Sequence, residues 1–288
     1  TLPFTPIGEK GRDKLLDAGV DPKILFDGKT IHETLSEAKI SSFTFIRGTY
    51  ANSAYSKTIH RGSETTPFIN SSDLLTNLRK KVAEVSTPAY FYVYWDAVDS
   101  IAHTYGPHTE QYLAELNGFF YLLQKEFVEK IGNLAEEISI MITADHGQVN
   151  VDPKRTIYLN QYSEVVDNFQ VGPSGNKILP WGSTRDIFLA IKLEKLDEVF
   201  EFLTKIFDAK ATIMKIETAF EQGLFGRGNL HKKFQSRVGN LLILPHGNST
   251  IWYEHFKDGK FDLLGMHGGL TAEEMLVPFA VARGDQLI

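Results

Sequence analysis

The stretch FYVYWDAVDSIAHTYGP, residues 91–107, begins as an apolar and aromatic run and ends with two aspartates, a histidine and Gly-Pro. An unbroken apolar run is typical of a strand buried on both faces, as in a parallel sheet. A second stretch, ISIMITADHG at residues 138–147, has the same form, because a β-rich run stops at an acid, a histidine and a glycine. Polar residues that follow parallel strands indicate a ligand site at the carboxyl edge of the sheet.

The segments around these two stretches alternate between helix and strand patterns. Thr30-Ile-His-Glu33 has the form of a capping box and predicts a short helix that runs to about Ala38. The remaining patterns predict a strand at 42–46, a helix at 71–85, a strand at 90–95, a helix from about 109 to 132 and a strand at 138–143. This order predicts βαβ units, and therefore an α/β fold with a parallel sheet flanked by helices.

The character of the sequence changes after Pro153. Residues 154–256 are rich in Gly, Pro and Asn, with predicted strands at 186–191 and 241–244 and a predicted helix at 196–207. Residues 265–281 return to the earlier style, with a helix start and an apolar strand. We therefore predict one core formed by 1–153 and 257–288, and a smaller inserted α+β cap formed by 154–256.

Composition limits the classes of function that the chain can have. Of 288 residues, 42% are hydrophobic and 23% are charged, and the net charge of −6 gives no attraction to nucleic acid polymers. No run approaches the roughly 18 to 20 apolar residues that span a bilayer. Cysteine is absent, so a metal must be bound by His, Asp or Glu. The absence of cysteine also fits a reducing compartment, and we expect a cytoplasmic location. The sequence opens at Thr1 without a methionine, and we expect it to continue upstream.

The polar residues after the two strands form a candidate metal-binding set. Asp99 and His103 are four residues apart and share one face of a helical turn, so both can reach one ion. Asp145 and His146 are adjacent, and His267 lies beside two glycines near the end of the chain. Carboxylates mixed with imidazoles favour Zn²⁺ or Mn²⁺. Two such pairs predict two metal ions about 4 Å apart, as in enzymes of phosphoryl transfer.

Each of these motifs is weak when it stands alone. A single Asp-x-x-x-His is more often a pair of ordinary hydrogen-bonded residues than a metal site. Asp145 and His146 can reach the same ion only where the chain leaves the strand, and Gly147 is suited to a sharp departure there. The metal prediction therefore depends on the occurrence of both pairs at strand ends.

The motifs also resemble a known family. Asp-x-x-x-His-x-x-Gly-Pro, Thr-Ala-Asp-His-Gly-Gln and Met-His-Gly-Gly-Leu with Glu-Glu-Met-Leu-Val-Pro occur in the order of the type I phosphodiesterase/nucleotide pyrophosphatase branch of the alkaline phosphatase superfamily. The resemblance covers nearly the whole chain and implies an alkaline-phosphatase-like core with two zinc ions. It implies that Asp99, His103 and His267 bind one zinc and that Asp145 and His146 bind the other.

The sequence departs from the family pattern in one respect. In the family, the second metal also takes an aspartate from the first strand and a threonine or serine nucleophile at a helix start. Neither is found in this sequence, and Thr5 is a poor candidate because no helix pattern follows it. We therefore predict that the first metal aspartate and the nucleophile lie in an N-terminal segment outside this sequence, and that this sequence alone is nearly inactive.

The resemblance implies a hydrolase of phosphate esters that acts through a covalent phospho-enzyme. The expected partner is a small phosphate ester or a nucleotide. Two alternatives stay open. One is another activity of the superfamily, such as phosphomonoesterase, phosphonate hydrolase, sulfatase or mutase. The other is a non-catalytic binding protein that retains its metals. The five intact ligands argue against the second alternative, because clustered buried charges are costly without a metal.

A few further residues are weaker candidates for the site. Asp96 is either a partner of a ligand histidine or a helix cap, and His108 is either a substrate contact or a solvated loop residue. Lys57, His60 and Arg61 form a small basic cluster that could meet phosphate, although a charged surface loop is the ordinary interpretation.

Overall fold

The computed structural model describes residues 3–7, 9–226, 228–257 and 259–287. Within them the strands are β1 Ser41–Arg47, β2 Glu64–Phe68, β3 Ala89–Tyr94, β4 Ser139–Thr143, β5 Val149–Asn150, β6 Ile157–Tyr158, β7 Trp181–Gly182, β8 Ile187–Leu189, β9 Ala211–Lys215, β10 Leu241–Pro245, β11 Ile251–Trp252, β12 Gly265–Met266 and β13 Phe279–Arg283. The helices are α1 Lys14–Asp17, α2 Ile31–Glu37, α3 Gly48–Ala51, α4 Ala54–Ile59, α5 Ser71–Glu84, α6 Ala97–Tyr105, α7 Glu110–Leu122, α8 Ser163–Val166, α9 Leu196–Phe207, α10 Ile216–Glu221, α11 Lys232–Gln235 and α12 Ala272–Met275.

The chain divides into two compact units. Unit 1 consists of Thr1–Ser100, Glu110–Thr143 and Phe279–Ile288. Unit 2 consists of Ile101–Thr109 and Ala144–Pro278. The boundary crosses α6, which is one continuous helix. The predicted core and cap, with the cap at 154–256, stay a prediction.

Unit 1 contains a three-stranded parallel sheet in the order β2-β1-β3. In its register, Phe43 on β1 lies opposite Glu64 on β2 and opposite Phe91 on β3. The middle strand β1 is paired on both edges and is almost entirely buried. The sheet and its flanking helices confirm the predicted α/β class.

Strand β4 lies where the sequence predicts it, but its pairing differs from the prediction. It does not join the parallel sheet and instead pairs antiparallel with β13, with Val281 opposite Met141. Along β4, exposed residues alternate with the half-buried Ile140 and Ile142. Such alternation is typical of an antiparallel pair with one solvent-exposed face, and not of the interior of a parallel sheet. The outer face of this β4–β13 ladder carries three exposed apolar side chains, since Met141, Val281 and Phe279 are 63%, 58% and 70% exposed.

Helix α2 begins at its predicted cap. In the capping box of α2, the Glu33 amide donates to Thr30 Oγ1 at 3.0 Å and the Thr30 amide donates to Glu33 Oε2 at 2.8 Å. Helix α7 is shorter than predicted. Its α-helical part ends at Leu122, and the chain continues through a π turn and short 3₁₀ turns to Glu137. The π turn still places Phe127 in the core, so the apolar spacing alone could not locate the end of the α-helix.

The core of unit 1 forms where helices cover the sheet. The buried side chains of this cluster are Phe43, Phe45, Phe68, Leu74, Leu75, Leu78, Phe127, Val128, Ile131 and Ala135. Phe43, Phe45 and the leucines of α5 lie in elements that the sequence pattern predicts. Phe68 comes from β2, which the sequence pattern does not predict, and Ala135 comes from a 3₁₀ turn after α7.

Unit 2 contains a four-stranded antiparallel sheet in the order β7-β8-β10-β9. Helix α9, which was predicted with the observed bounds, contributes Val199, Leu203 and Phe207 to the core of this unit. Two short ladders, β5 with β12 and β6 with β11, connect segments that lie far apart in the sequence. In the part of the chain that the structure describes, no helix has both the length and the apolarity needed to cross a membrane.

Candidate metal centre

Helix α6 carries two of the predicted ligands. The helix follows β3 directly, with Asp99 in its first turn and His103 in its last turn. Their four-residue spacing places both side chains on one face of the helix, as the sequence predicts.

His103 is oriented by a hydrogen bond to the main chain. Its Nδ1 lies 2.7 Å from the carbonyl oxygen of Gly265 in β12. A carbonyl can only accept, so Nδ1 carries the proton and the lone pair is on Nε2. The contact needs a glycine, because a Cβ on Gly265 would lie 2.2 Å from the carbonyl oxygen of Ala102 in α6.

The Asp145-His146-Gly147 segment follows β4 after one residue. His146 Nδ1 lies 3.0 Å from the Gly147 carbonyl, so this ring also has its lone pair on Nε2. That nitrogen is 3.7 Å from Asp145 Oδ1, close enough for both groups to face one ion. Gly147 was predicted to allow a sharp departure from the strand, but its φ is not left-handed. A glycine is needed at this position for close packing, because a Cβ on Gly147 would lie 2.0 Å from the Glu273 carbonyl oxygen.

His267 follows β12 directly, and its ring lies next to those of His103 and His146. Its ring stacks on that of His146, with the centroids 3.5 Å apart and the planes 12° apart. The His103 ring is 5.2 Å away, again between centroids. The structure therefore brings together the three histidines that the sequence predicts as ligands.

The ligand atoms form a group that fits a divalent metal ion. One oxygen of Asp99 and one ring nitrogen each from His146 and His267 lie within 4.8 Å of one another, and all three residues are half-buried. Imidazole nitrogens and a carboxylate oxygen are a donor set that zinc accepts. The grouping joins residues that the resemblance assigns to two different ions, and the partition between the ions stays a prediction. Asp145 lies at the rim, with its side chain 63% exposed.

The weaker candidates have other partners. Asp96 is buried, and its two carboxylate oxygens share the single N–H of Arg47 Nε at 2.8 and 3.0 Å, which favours a structural role. His108 has a left-handed φ of 67°, in the loop after α6. His60 packs on His32 inside unit 1, and Arg61 donates to main-chain carbonyls and to Glu33. These contacts do not favour a phosphate contact at this basic cluster, which was the less ordinary of its two interpretations.

The sequence prediction missed a buried ion pair behind the His267 loop. Arg185 and Glu274 form a bidentate ion pair, and both side chains are fully buried. Thr271 and Glu274 have capping-box spacing, which is a local signal for Glu274. Arg185 lies 89 positions away and has no such signal.

Comparisons with known proteins identify the family of the chain. The family model described as type I phosphodiesterase / nucleotide pyrophosphatase matches residues 17–270. The human ectonucleotide pyrophosphatase/phosphodiesterase family member 5 is 27% identical over 203 residues, which are 67% of this chain and 36% of that protein. Bis(5'-adenosyl)-triphosphatase enpp4 of Xenopus laevis is 24% identical over 196 residues, or 67% of this chain and 38% of that protein. The chain thus spans little more than a third of the length of these relatives.

Solved structures show the same fold. The human ectonucleotide pyrophosphatase/phosphodiesterase 5 aligns with a TM-score of 0.63 at 20% identity, over 91% of this chain and 65% of that one. An inactive variant of the murine protein in complex with AMP aligns with a TM-score of 0.60 at 19% identity, over 87% of this chain and 62% of that one.

Proposed function

Because this chain belongs to the type I phosphodiesterase / nucleotide pyrophosphatase family, whose members hydrolyse phosphoric esters, we propose that it forms the metal-binding part of such a hydrolase. The observation that carries the proposal is the convergence of Asp99, His146 and His267, with His103 beside them. We propose nucleotide diesters or pyrophosphates as the substrate class. The murine relative that was solved with AMP supports a nucleotide.

We assign Asp99, His103 and His267 to one divalent ion, and Asp145 and His146 to a second. Zn²⁺ is the proposed metal, and Mn²⁺ is the alternative that the same ligands would accept. When bound, such ions offset the charge of the phosphoryl oxygens and make an oxygen nucleophile more reactive. The residues of this chain prepare the site, because the carbonyls of Gly265 and Gly147 keep the protons of His103 and His146 on Nδ1.

The nucleophile remains a prediction outside this sequence. A threonine or serine hydroxyl supplied upstream would attack phosphorus and release the first product. The resulting phospho-enzyme would then be hydrolysed by water. The proposed second metal also needs the upstream aspartate that the resemblance implies.

Metal binding by this chain tests the site directly. Zn²⁺ affinity is measured by calorimetry for the unchanged chain, for His267→Ala and for His103→Ala. The control is His246→Ala, because His246 is an exposed residue that hydrogen-bonds to Thr212 on β9. We expect the two site variants to lose at least tenfold in affinity and the control to lose nothing. Equal affinities in all four proteins would contradict the metal centre.

Activity tests the substrate class. A longer form that supplies the upstream aspartate and hydroxyl is compared with this chain on bis-p-nitrophenyl phosphate, a monoester and a sulfate ester. We expect metal-dependent turnover of the diester by the longer form and almost none by this chain. A preference for the monoester or the sulfate would favour another activity of the superfamily. If the metal-loaded longer form hydrolyses none of these esters, the alternative of a non-catalytic binding protein is favoured.

Two further predictions belong to this proposal. We propose that residues 154–256 form a separate inserted cap, which limited proteolysis at its two junctions with the core can test. We also propose a cytoplasmic location, which fractionation of expressing cells can test.

A further inference from the structure

The loop that carries His267 has no regular secondary structure of its own, so its position depends on side-chain anchors. On one side, Ser183 Oγ lies 3.2 Å from the carbonyl oxygen of His267, although its shorter hydrogen bond is to Asp186 Oδ1. On the other side, the Gly269 amide donates to Glu274 Oε1 at 2.9 Å, and Thr271 Oγ1 donates to Glu274 Oε2 at 2.8 Å. A single carboxylate therefore fixes the chain two and four residues after the proposed ligand.

The anchoring carboxylate is itself fixed by Arg185. Arg185 Nε donates to Glu274 Oε1 at 2.9 Å, and Nη2 donates to Oε2 at 2.8 Å, which is the forked geometry that orients a carboxylate fully. Arg185 Nη1 also donates to the carbonyl oxygen of Ser249. Burial raises the pKa of Glu274, but hydrogen bonds from Arg185, Gly269 and Thr271 outweigh burial and lower it. Glu274 is therefore held as an anion.

The glycines after His267 allow the loop to lie directly on this pair. A Cβ on Gly269 would lie 2.7 and 2.9 Å from the two carboxylate oxygens of Glu274, and 3.1 Å from Arg185 Nη2. Gly268 has a φ of 112°, and a Cβ there would lie 2.6 Å from Ser183 Oγ. No space is left between the loop and its support, so a shift of the pair would shift the loop.

A buried ion pair is a poor way to gain stability. The desolvation of two charges offsets much of their attraction, and apolar residues of similar volume often serve the fold as well or better. A conformational role explains the pair better, because an apolar pair would not bind the Gly269 amide or Thr271 hydroxyl.

We propose that Arg185 is a positioning residue for His267, since it fixes Glu274 and Glu274 fixes the main chain that presents the imidazole to the metal. This inference rests on the proposed metal centre. It adds two residues to that centre that do not contact the ion.

The test replaces both charges at once, because a single replacement would leave an unpaired buried charge and could unfold the chain. The variant is Arg185→Met with Glu274→Leu, and the control is Lys195→Met with Glu198→Leu, an exposed ion pair of the same unit. Melting in EDTA measures the fold without metal. We expect Zn²⁺ affinity to fall about 10- to 100-fold in the variant, with a melting temperature close to that of the unchanged chain. The control should keep its affinity.

A combination with His267→Ala separates positioning from general support. If the pair acts through His267, the double replacement causes no further loss of affinity once His267 is absent. Additive losses in the combined variant would overturn the proposal, and so would unchanged affinity in the double variant.

A readout without metal keeps this inference separate from the proposed function. Amide hydrogen exchange of the peptide that covers 265–271 should be faster in the double variant than in the control. If the unchanged chain binds no Zn²⁺, the proposed metal centre is wrong. The rate of amide exchange at 265–271 then shows by itself whether Arg185 positions the His267 loop. Unchanged exchange would overturn that role.

Discussion

Gly265 has no side chain, and the orientation of His103 depends on that. The backbone of β12 approaches α6 so closely that a Cβ would enter the van der Waals radius of the Ala102 carbonyl oxygen. The approach brings the Gly265 carbonyl within hydrogen-bonding distance of His103 Nδ1. One glycine thus controls which nitrogen of a proposed ligand is available.

We predict that Gly265→Ala separates β12 from α6 and breaks the hydrogen bond to His103. Overpacking of this kind costs about 1–3 kcal/mol of unfolding free energy, and Zn²⁺ affinity should fall with it. Urea denaturation and calorimetry measure the two effects. Gly118→Ala is the matched control, because Gly118 is exposed in α7 with open space around it and should gain about 0.5–1 kcal/mol. Equal behaviour of the two variants would contradict the close approach.

A second residue-scale prediction concerns two histidines inside unit 1. His32 Nδ1 is 2.5 Å from Ser42 Oγ, and His32 Nε2 is 3.2 Å from His60 Nδ1. Burial, and then the charge of His32, lowers the pKa of His60 to about 4, and burial also lowers the pKa of His32. The folded state thus binds fewer protons than the unfolded state between about pH 4 and 6.5, so stability falls as the pH falls through that range.

His60→Gln should make this pH dependence shallower. Each proton that differs between the two states contributes a slope of at most about 1.4 kcal/mol per pH unit. Urea denaturation in EDTA, from pH 4.5 to 7.5, compares the variant with the unchanged chain. Parallel curves would show that the His32–His60 pair does not couple folding to protonation.

At the scale of elements, contacts within one or two turns could be predicted from the sequence. The capping box of α2 and the Asp99–His103 face of α6 both depend on residues three or four apart. The pairing of β4 with β13, the Gly265–His103 contact and the Arg185–Glu274 pair could not be predicted in this way. Each joins segments far apart in sequence, where the local pattern sets a strand or a cap but not its partner.

The capping box makes an element-scale prediction. Thr30→Val keeps the shape of the side chain but removes the oxygen that accepts from the Glu33 amide and donates to the Arg61 carbonyl. We expect a loss of about 1 kcal/mol of unfolding free energy, since capping bonds contribute about that much. Thr30→Ser retains the hydroxyl and should lose much less. Urea denaturation measures both, and similar losses would indicate packing rather than capping.

At the scale of the whole molecule, the proposed metal should couple to stability. Zn²⁺ that binds only the folded state at 100 times its dissociation constant adds about 2.7 kcal/mol to the unfolding free energy. The fluorescence of Trp181 and Trp252 reports on unit 2 in a Trp95→Phe background, since Trp95 is the tryptophan of unit 1. We expect Zn²⁺ to raise the urea midpoint of this signal and EDTA to reverse the shift. No shift in the unchanged chain, or the same shift with His103→Ala, would contradict the ligand set.

The outer face of the β4–β13 ladder affects how the chain behaves in concentrated solution. Side chains as apolar as Met141, Val281 and Phe279 attract one another when two molecules collide, and electrostatic repulsion opposes that attraction. The net charge of −6 at neutral pH supplies the repulsion, and it vanishes at the isoelectric point near pH 5.9. Colloidal stability should therefore be lowest in mildly acidic buffer, where light scattering should rise steeply with protein concentration.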